Sequence, residues 1–188
     1  MELLRMTDEE LVTRITKGET EMYSEIIERY GDKLARYVQR IINQEREEVE
    51  DVVEDTLIAA YRNLNSYKAG YKFSSWIYRI GHNRAIDWMR KQKIKTENIE
   101  GMEEFIGNGE EEIEDGLIRS EDQERVGRML GLLPQREREI LELYYFEDQN
   151  YEDIADILKI STNNVAVRLN RAKKKLKYIW EKYEKAEK

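Results

Sequence analysis

The sequence predicts an all-α chain in which two small helical domains are joined by a flexible acidic linker, and three observations predict it. The 188 residues hold one proline and ten glycines, and their apolar positions recur three and four apart. No alternating strand pattern and no Asn-Gly hairpin signal interrupts that spacing. Between Glu97 and Glu124, finally, twelve acidic residues stand against Arg119 alone, a local net of −11. Gly101, Gly107, Gly109 and Gly116 punctuate this stretch. It reads as a tether with a transient turn around Phe105 and Ile106, because so charged a segment has too little apolar surface to bury.

The elements follow in order. Thr7 with Glu10 has the capping-box pattern that opens a short first helix. Tyr23, Ile26, Ile27 and Tyr30 form one apolar stripe that Gly31 ends, and Leu34, Val38, Ile41 and Ile42 form another, so the segment reads as two packed antiparallel helices. From Glu47 a longer stripe runs through Val49, Val52, Val53, Leu57, Ala60, Tyr61 and Leu64, before Asn65, Ser66 and Gly70 mark a loop. Ser74 or Ser75 caps the next helix, which runs to about Lys93 with Ile77, Ile80, Ala85 and Trp88 inward. Beyond the tether, Val126, Met129, Leu130 and Leu133 make a stripe, and Pro134 suits the first turn of a helix carrying Ile140, Leu141 and Tyr144. Asn150 precedes a short helix from Tyr151 to Leu158, with Ile154, Ala155 and Leu158 inward. A final helix runs from about Thr162 past Trp180, with Val165, Leu169, Ala172 and Leu176 on one face.

Composition narrows the chemistry. Charged residues are 38% of the chain, 32 basic against 40 acidic, for a formal charge of −8. The apolar share, about 45% with glycine, allows only thin cores and therefore small helical units. Zero cysteines exclude disulfides, thiolate nucleophiles and Cys-ligated zinc, and fit a reducing compartment. With His82 the single histidine, His-based metal sites and most nucleophile–His catalytic arrangements are excluded too, so no catalytic residue, metal ligand, cofactor or small-molecule substrate is expected. The acidic start MELLRMTDEE lacks a secretory apolar region, and a cytoplasmic location is expected. Setting the tether aside leaves +3 on the rest of the chain, so the overall acidity hides two mildly basic bodies.

Three constellations carry function. Tyr151 to Lys177 has the pattern of a helix-turn-helix, with the small Ala155 where the two helices approach. The face of its second helix opposite the apolar stripe shows Asn163, Asn164, Val167, Arg168, Asn170, Arg171 and Lys174, and Asn and Arg are side chains that bond base edges bidentately in the major groove. From Lys159 to Lys177 there are seven basic residues and no acid, a stripe suited to phosphates. The competing reading is a solvated face of an unrelated bundle.

Between Tyr67 and Lys95, Tyr67, Tyr71, Phe73, Trp76, Tyr78 and Trp88 interleave with Lys68, Lys72, Arg79, Arg84, Arg90, Lys91, Lys93 and Lys95, the combination that unpaired nucleic acid requires. Trp76 and Trp88 are read as core residues, since large aromatics are mostly buried, and His82 as a helix-surface or capping residue. The third constellation is the stripe Glu47, Glu50, Asp51, Glu54 and Asp55 on one helix face. Such a stripe is either a solvated face, a magnesium site for which one helix converges poorly, or a surface for a basic protein partner.

DVVEDTLIAAYRNL (51–64), FSSWIYRIGHNRAIDWMRKQ (73–92) and LPQREREILELYYFEDQNYEDIADILKISTNNVAVRLNRAKKKLK (133–177) together resemble bacterial sigma factors of the extracytoplasmic-function group, in the right order and over nearly the whole chain. The resemblance implies a region 2 bundle over 1–95, a linker over 96–122 and a region 4 helix-turn-helix over 123–188. It implies that region 2 docks on the beta-prime clamp of core RNA polymerase through Glu47, Asp51, Glu54 and Asp55, and that region 4 meets the beta flap. It further implies that Lys72, Phe73, Arg79, Asn83, Arg84, Asp87 and Arg90 bind the melted minus-ten element, the loop from Asn65 to Phe73 helping to capture a flipped base of the non-template strand. Asn163, Asn164, Val167, Arg168, Asn170, Arg171 and Lys174 would read the minus-thirty-five element. Promoter DNA and core polymerase are thus the implied partners, and an anti-sigma factor, which holds many relatives inactive, is a further candidate.

Two departures stand out. The family usually has Gln-Glu where this chain has Glu54-Asp55, and Thr-Val-Lys-Ser-Arg where it has Asn164-Val165-Ala166-Val167-Arg168. The second loses a cation and a hydroxyl, and Ala166 or Val167 is suited to touch a thymine methyl instead. The element spacing, about twenty-five base pairs or roughly 85 Å, exceeds the roughly 30 Å r.m.s. span of a coil of this linker's length, so the linker must be stretched or the domains must supply the distance. The rival reading is a helix-turn-helix regulator whose front half dimerises or senses; it would bind duplex alone on a palindrome, whereas a sigma factor acts one-to-one with polymerase on an asymmetric site.

Overall fold

The computed structural model describes residues 6–68, 70–97 and 121–186, so the turn expected around Phe105 and Ile106 and most of the linker lie outside the described residues. Eight α-helices and no β-strand make up the described residues.

Helix α1 (Asp8–Thr16) opens on the expected capping box: the Thr7 hydroxyl accepts from the Glu10 amide at 3.2 Å and the Glu10 carboxylate accepts from the Thr7 amide at 2.8 Å. Leu11, Val12 and Ile15 turn inward. Helix α2 (Tyr23–Ile42) corrects one expectation, because it runs unbroken through Gly31 where two helices were predicted. A lone glycine costs a helix interior only about 1 kcal/mol, and the apolar phase never breaks. Tyr23, Ile26, Tyr30, Leu34, Tyr37, Val38 and Ile41 stay in step and are all buried, while Ile27 falls off the stripe and is exposed. The helix ends at Asn43 in the left-handed region (φ 48°), a conformation Asn tolerates.

Helices α3 (Arg46–Arg62) and α4 (Phe73–Glu97) pack on α2 and on each other. At their crossing Gly81 leaves no spare room: a Cβ there would lie 3.1 Å from Leu34 Cδ2 and 3.5 Å from Thr56 Cγ2. Neither Ser74 nor Ser75 caps α4. Both lie inside its first turn, Ser75 buried, and the Phe73 amide donates to the Glu9 carboxylate at 3.4 Å. Phe73 is the hub of an aromatic cluster, with its ring 5.6 Å from Tyr30, 5.6 Å from Tyr67 and 5.5 Å from Trp76. Trp76 is a core residue, as expected, whereas His82 is neither a surface nor a capping residue: it is half-buried, with Nδ1 3.2 Å from the Tyr37 hydroxyl.

In the second half, α5 (Glu121–Gly131) leads through Pro134, the N-cap residue, into α6 (Gln135–Leu141), which widens into a π turn over Glu142–Phe146. Helix α7 (Tyr151–Leu158) starts where Asn150 Oδ1 accepts from the Glu152 and Asp153 amides, both at 2.9 Å. It stops at Lys159 in the left-handed region, and α8 (Thr162–Ala186) follows after the short turn predicted for a helix-turn-helix. Val165, Leu169 and Ala172 seat α8 on α6 and α7. Ile157, not Leu158, is the fully buried member of α7 beside Ile154. The buried apolar residues of both halves form one contiguous cluster, because α7 also packs along α4.

Two outcomes test this packing. Gly31→Ala, with open space around the added Cβ, should raise stability by about 0.5–1 kcal/mol, whereas Gly81→Val should lower it by about 1–3 kcal/mol, both read from thermal or urea unfolding. Burial lowers the His82 pKa from 6.5 to about 4, so the folded state keeps the ring neutral. The unfolded state therefore binds more protons between those values, and the stability present above pH 6.5 is lost as pH falls toward 4. His82→Gln should remove that part of the acid sensitivity in urea titrations at neutral and acid pH.

Candidate nucleic-acid interface

Three surfaces are built from the helices. On α8, burial of Val165, Leu169 and Ala172 forces the opposite face outward. That face carries Asn163, Asn164, Val167, Asn170, Arg171 and Lys174, all exposed, with Arg168 half-buried, so every residue expected to face the major groove sits on one accessible stripe. Arg171 on this stripe and Lys175 beside it are held in place from α6: Lys175 Nζ lies 2.7 Å and Arg171 Nε 3.5 Å from Glu137 Oε1. The Lys175 hydrogen bond, ahead of the Arg171 charge, keeps the Glu137 carboxyl below its ordinary range. Lys173 stands 5.1 Å over the Tyr144 ring and 5.2 Å over that of Tyr145.

On α3, Val49, Val52, Val53 and Thr56 face the core, which leaves Glu47, Asp51, Glu54 and Asp55 exposed on the outer side, with Glu50 paired to Arg46 at 2.6 Å. The expected acidic stripe is thus one continuous surface.

The α4 surface is divided. Asn83, Arg84, Asp87 and Arg90 are exposed on its second half, where Arg90 pairs with Asp87 at 3.3 Å. Its first half is different. Phe73 is 0% exposed and serves the core, so in this arrangement its ring is not available to DNA. Lys72 Nζ lies 2.7 Å from Asp153 Oδ2 and Arg79 Nη1 lies 2.5 Å from Asp156 Oδ2, both carboxylates belonging to α7. Tyr71, in the loop before α4, is 63% exposed and is the one large aromatic of that loop open to a partner.

The junction between the halves was not legible in the sequence. Arg40 of α2 donates to Glu147 at 3.1 Å, stacks on the Phe146 ring at 4.6 Å and lies 3.1 Å from Glu142 Oε2. The Tyr78 hydroxyl donates to Glu147, and Arg138 donates to the Arg40 carbonyl at 3.3 Å. Burial, only partly offset by Arg40, lifts the Glu142 pKa from 4.5 to about 7. At Asp156 burial pulls upward as well, but Lys159 and Arg79 outweigh it and the carboxyl stays below its ordinary range. No sequence signal marks the pairs that Arg40, Tyr78, Arg79 and Arg138 make across the junction, since each joins residues far apart in the chain.

Two helical units, one a bundle with an acidic helix and one a helix-turn-helix, define a two-domain transcription-factor architecture. Comparison with known proteins specifies it. Sigma-70 region 2 matches residues 26–94 and Sigma-70 region 4 matches residues 123–176. The ECF RNA polymerase sigma-E factor of Escherichia coli (strain K12) is 31% identical over 182 residues, covering 90% of this chain and 92% of the relative. The ECF RNA polymerase sigma factor SigW of Bacillus subtilis (strain 168) is 26% identical over 183 residues, covering 93% and 97%. The fold is shared with CnrH in its complex with the cytosolic domain of CnrY (TM-score 0.67, 23% identity, 91% of this chain and 95% of that one). It is shared equally with the sigma factor RpoE from Bartonella quintana in complex with the anti-sigma factor NepR (TM-score 0.69, 21% identity, 85% and 96%). The chain belongs to the extracytoplasmic-function sigma factors of the sigma-70 family.

Proposed function

We propose that this sigma factor is a non-enzymatic, cytoplasmic specificity subunit. Residues 1–95 dock on core polymerase and hold the melted minus-ten element, residues 96–122 link, and residues 123–188 read the minus-thirty-five element. The observation that carries this reading is the pairing, in one chain, of an outward carboxylate stripe on α3 with an Asn/Arg stripe on α8 that is exposed except at the half-buried Arg168. Charges of opposite sign on separate faces suit two partners, a basic protein surface and a phosphate backbone. Glu47, Asp51, Glu54 and Asp55 present their charge to the polymerase clamp. Asn83, Arg84, Asp87 and Arg90 meet the minus-ten strand, Lys72 and Arg79 join them once their partners on α7 withdraw, and Phe73 supports the loop from beneath. Flipping a base costs a few kcal/mol, so polymerase binding must contribute to opening the duplex. An anti-sigma factor is a further proposed partner, supported by the NepR bound to the Bartonella quintana relative.

Run-off transcription on a promoter library, with core polymerase and with or without this protein, tests the reading; new start sites are expected only when it is present. Asp51→Lys with Glu54→Lys should abolish co-elution with core polymerase while the helical circular dichroism is retained, and persistent co-elution would remove α3 as the docking surface. Arg168→Ala with Arg171→Ala should weaken upstream-element binding by holoenzyme and flatten its salt slope by about one unit per lost phosphate contact. An unchanged slope would remove these residues from the phosphate interface.

A further inference from the structure

We propose that Glu137 of α6 is a specificity-determining positioning residue for the upstream element: it aims Arg171 at base edges and, through its charge, weakens binding to DNA of other sequence. Arg171 and Lys175 lie four residues apart on α8 and therefore share one face of the helix. Both reach the same oxygen of a carboxylate on another helix, Lys175 Nζ at 2.7 Å and Arg171 Nε at 3.5 Å from Glu137 Oε1. The Glu137 side chain is 12% exposed and is fixed between α6 and α8, whereas that of Arg171 is 70% exposed and open to a ligand. Lys174, the neighbouring cation of the same stripe, makes no ion pair among the described residues. The stripe thus carries one free cation and one aimed cation.

This geometry separates two properties that a cationic side chain normally couples. Glu137 meets Arg171 at Nε, which leaves Nη1 and Nη2, the end-on fork that suits O6 and N7 of a guanine. An arginine held from behind loses less rotamer freedom when it bonds a base edge, so its contact with the correct base gains. On phosphates the Glu137 charge acts in the opposite sense. It offsets part of two cations, so fewer counterions are released when this face meets a backbone of any sequence. The Lys175 hydrogen bond keeps the carboxyl below its ordinary range, and the charge is therefore present at neutral pH. Promoters compete with a large excess of other sites, so an anion that spares the base contact while reducing phosphate attraction raises the ratio between the two. This inference rests on the sigma-factor reading for the identity of the upstream element, though not for the contacts of Glu137.

Two assays on the full-length protein test it. Binding of the free chain to a short fluorescein-labelled duplex of scrambled sequence is followed by anisotropy at several salt concentrations. Run-off transcription by holoenzyme compares a promoter selected from the library with the same template carrying a scrambled upstream element. Glu137→Gln should tighten duplex binding about three- to tenfold, steepen its salt slope by about one unit, and lower the promoter-to-scrambled transcription ratio by about threefold. In an Arg171→Ala background the same substitution should leave that ratio unchanged, because the aiming acts through Arg171. Glu28→Gln on α2, an equal charge change in the first domain, should leave all three readings near wild type. Should Glu137→Gln fail to fold, Glu137→Asp decides: the shorter carboxylate keeps its charge but withdraws from Arg171, so the ratio must fall while the duplex slope stays. A parallel loss of duplex binding and transcription, an unchanged ratio, or a ratio that still falls without Arg171 overturns the proposal. Failure of the sigma-factor reading is distinguishable, because neither wild type nor variant would then direct core polymerase, while the duplex slope of the free chain would still respond to Glu137→Gln.

Discussion

The placement of α4 is the constraint on which the rest of the molecule depends. One side of this helix closes the first domain: Ile77 and Ala85 are buried in its core, and Gly81 lets Leu34 and Thr56 approach to within contact of its backbone. Another side receives α7 of the second domain through Ser75 and Arg79, joined by Lys72 just before the helix begins. What remains, the stripe from Asn83 to Arg90, is open. A single helix therefore holds a core, a domain junction and an open polar face.

The two domain contacts differ in kind. Inside each domain the elements are held by apolar side chains packed at full burial, an interaction that salt barely affects. Across the junction ion pairs and hydrogen bonds are prominent, several of them with one member partly exposed, and such pairs contribute little individually and weaken as ionic strength rises. Apolar packing crosses the junction as well, because the buried residues of the two halves form one cluster.

The distribution of charge is the second organising feature. A formal charge of −8 coexists with cationic faces on α4 and α8 because twelve acids are gathered between Glu97 and Glu124. Two other groups of acids are sorted by face: Glu47, Asp51, Glu54 and Asp55 outward on α3, and Asp153 and Asp156 of α7 toward α4. Sign and position, not net charge, distinguish these faces.

How much of this could be read without coordinates depends on the range of the interaction. The capping box at Thr7 and Glu10, the Asn150 cap, the outward Asn/Arg stripe of α8 and the acidic stripe of α3 follow from spacings of three and four residues, and each was legible. Gly31 was misread because a local breaker signal competes with an apolar phase of twenty residues, and the longer pattern wins through burial. Aromatic-plus-basic composition does not reveal that the Phe73 ring faces inward; three neighbouring rings supply that answer. The ion pairs of Lys72, Arg79 and Arg40 with acids more than seventy positions away had no local signature at all. Periodicity within one helix is an intrinsic property of the chain and settles which residues share a face. Which face meets which depends on how separate helices bury their stripes together, and that is a property of the packed whole.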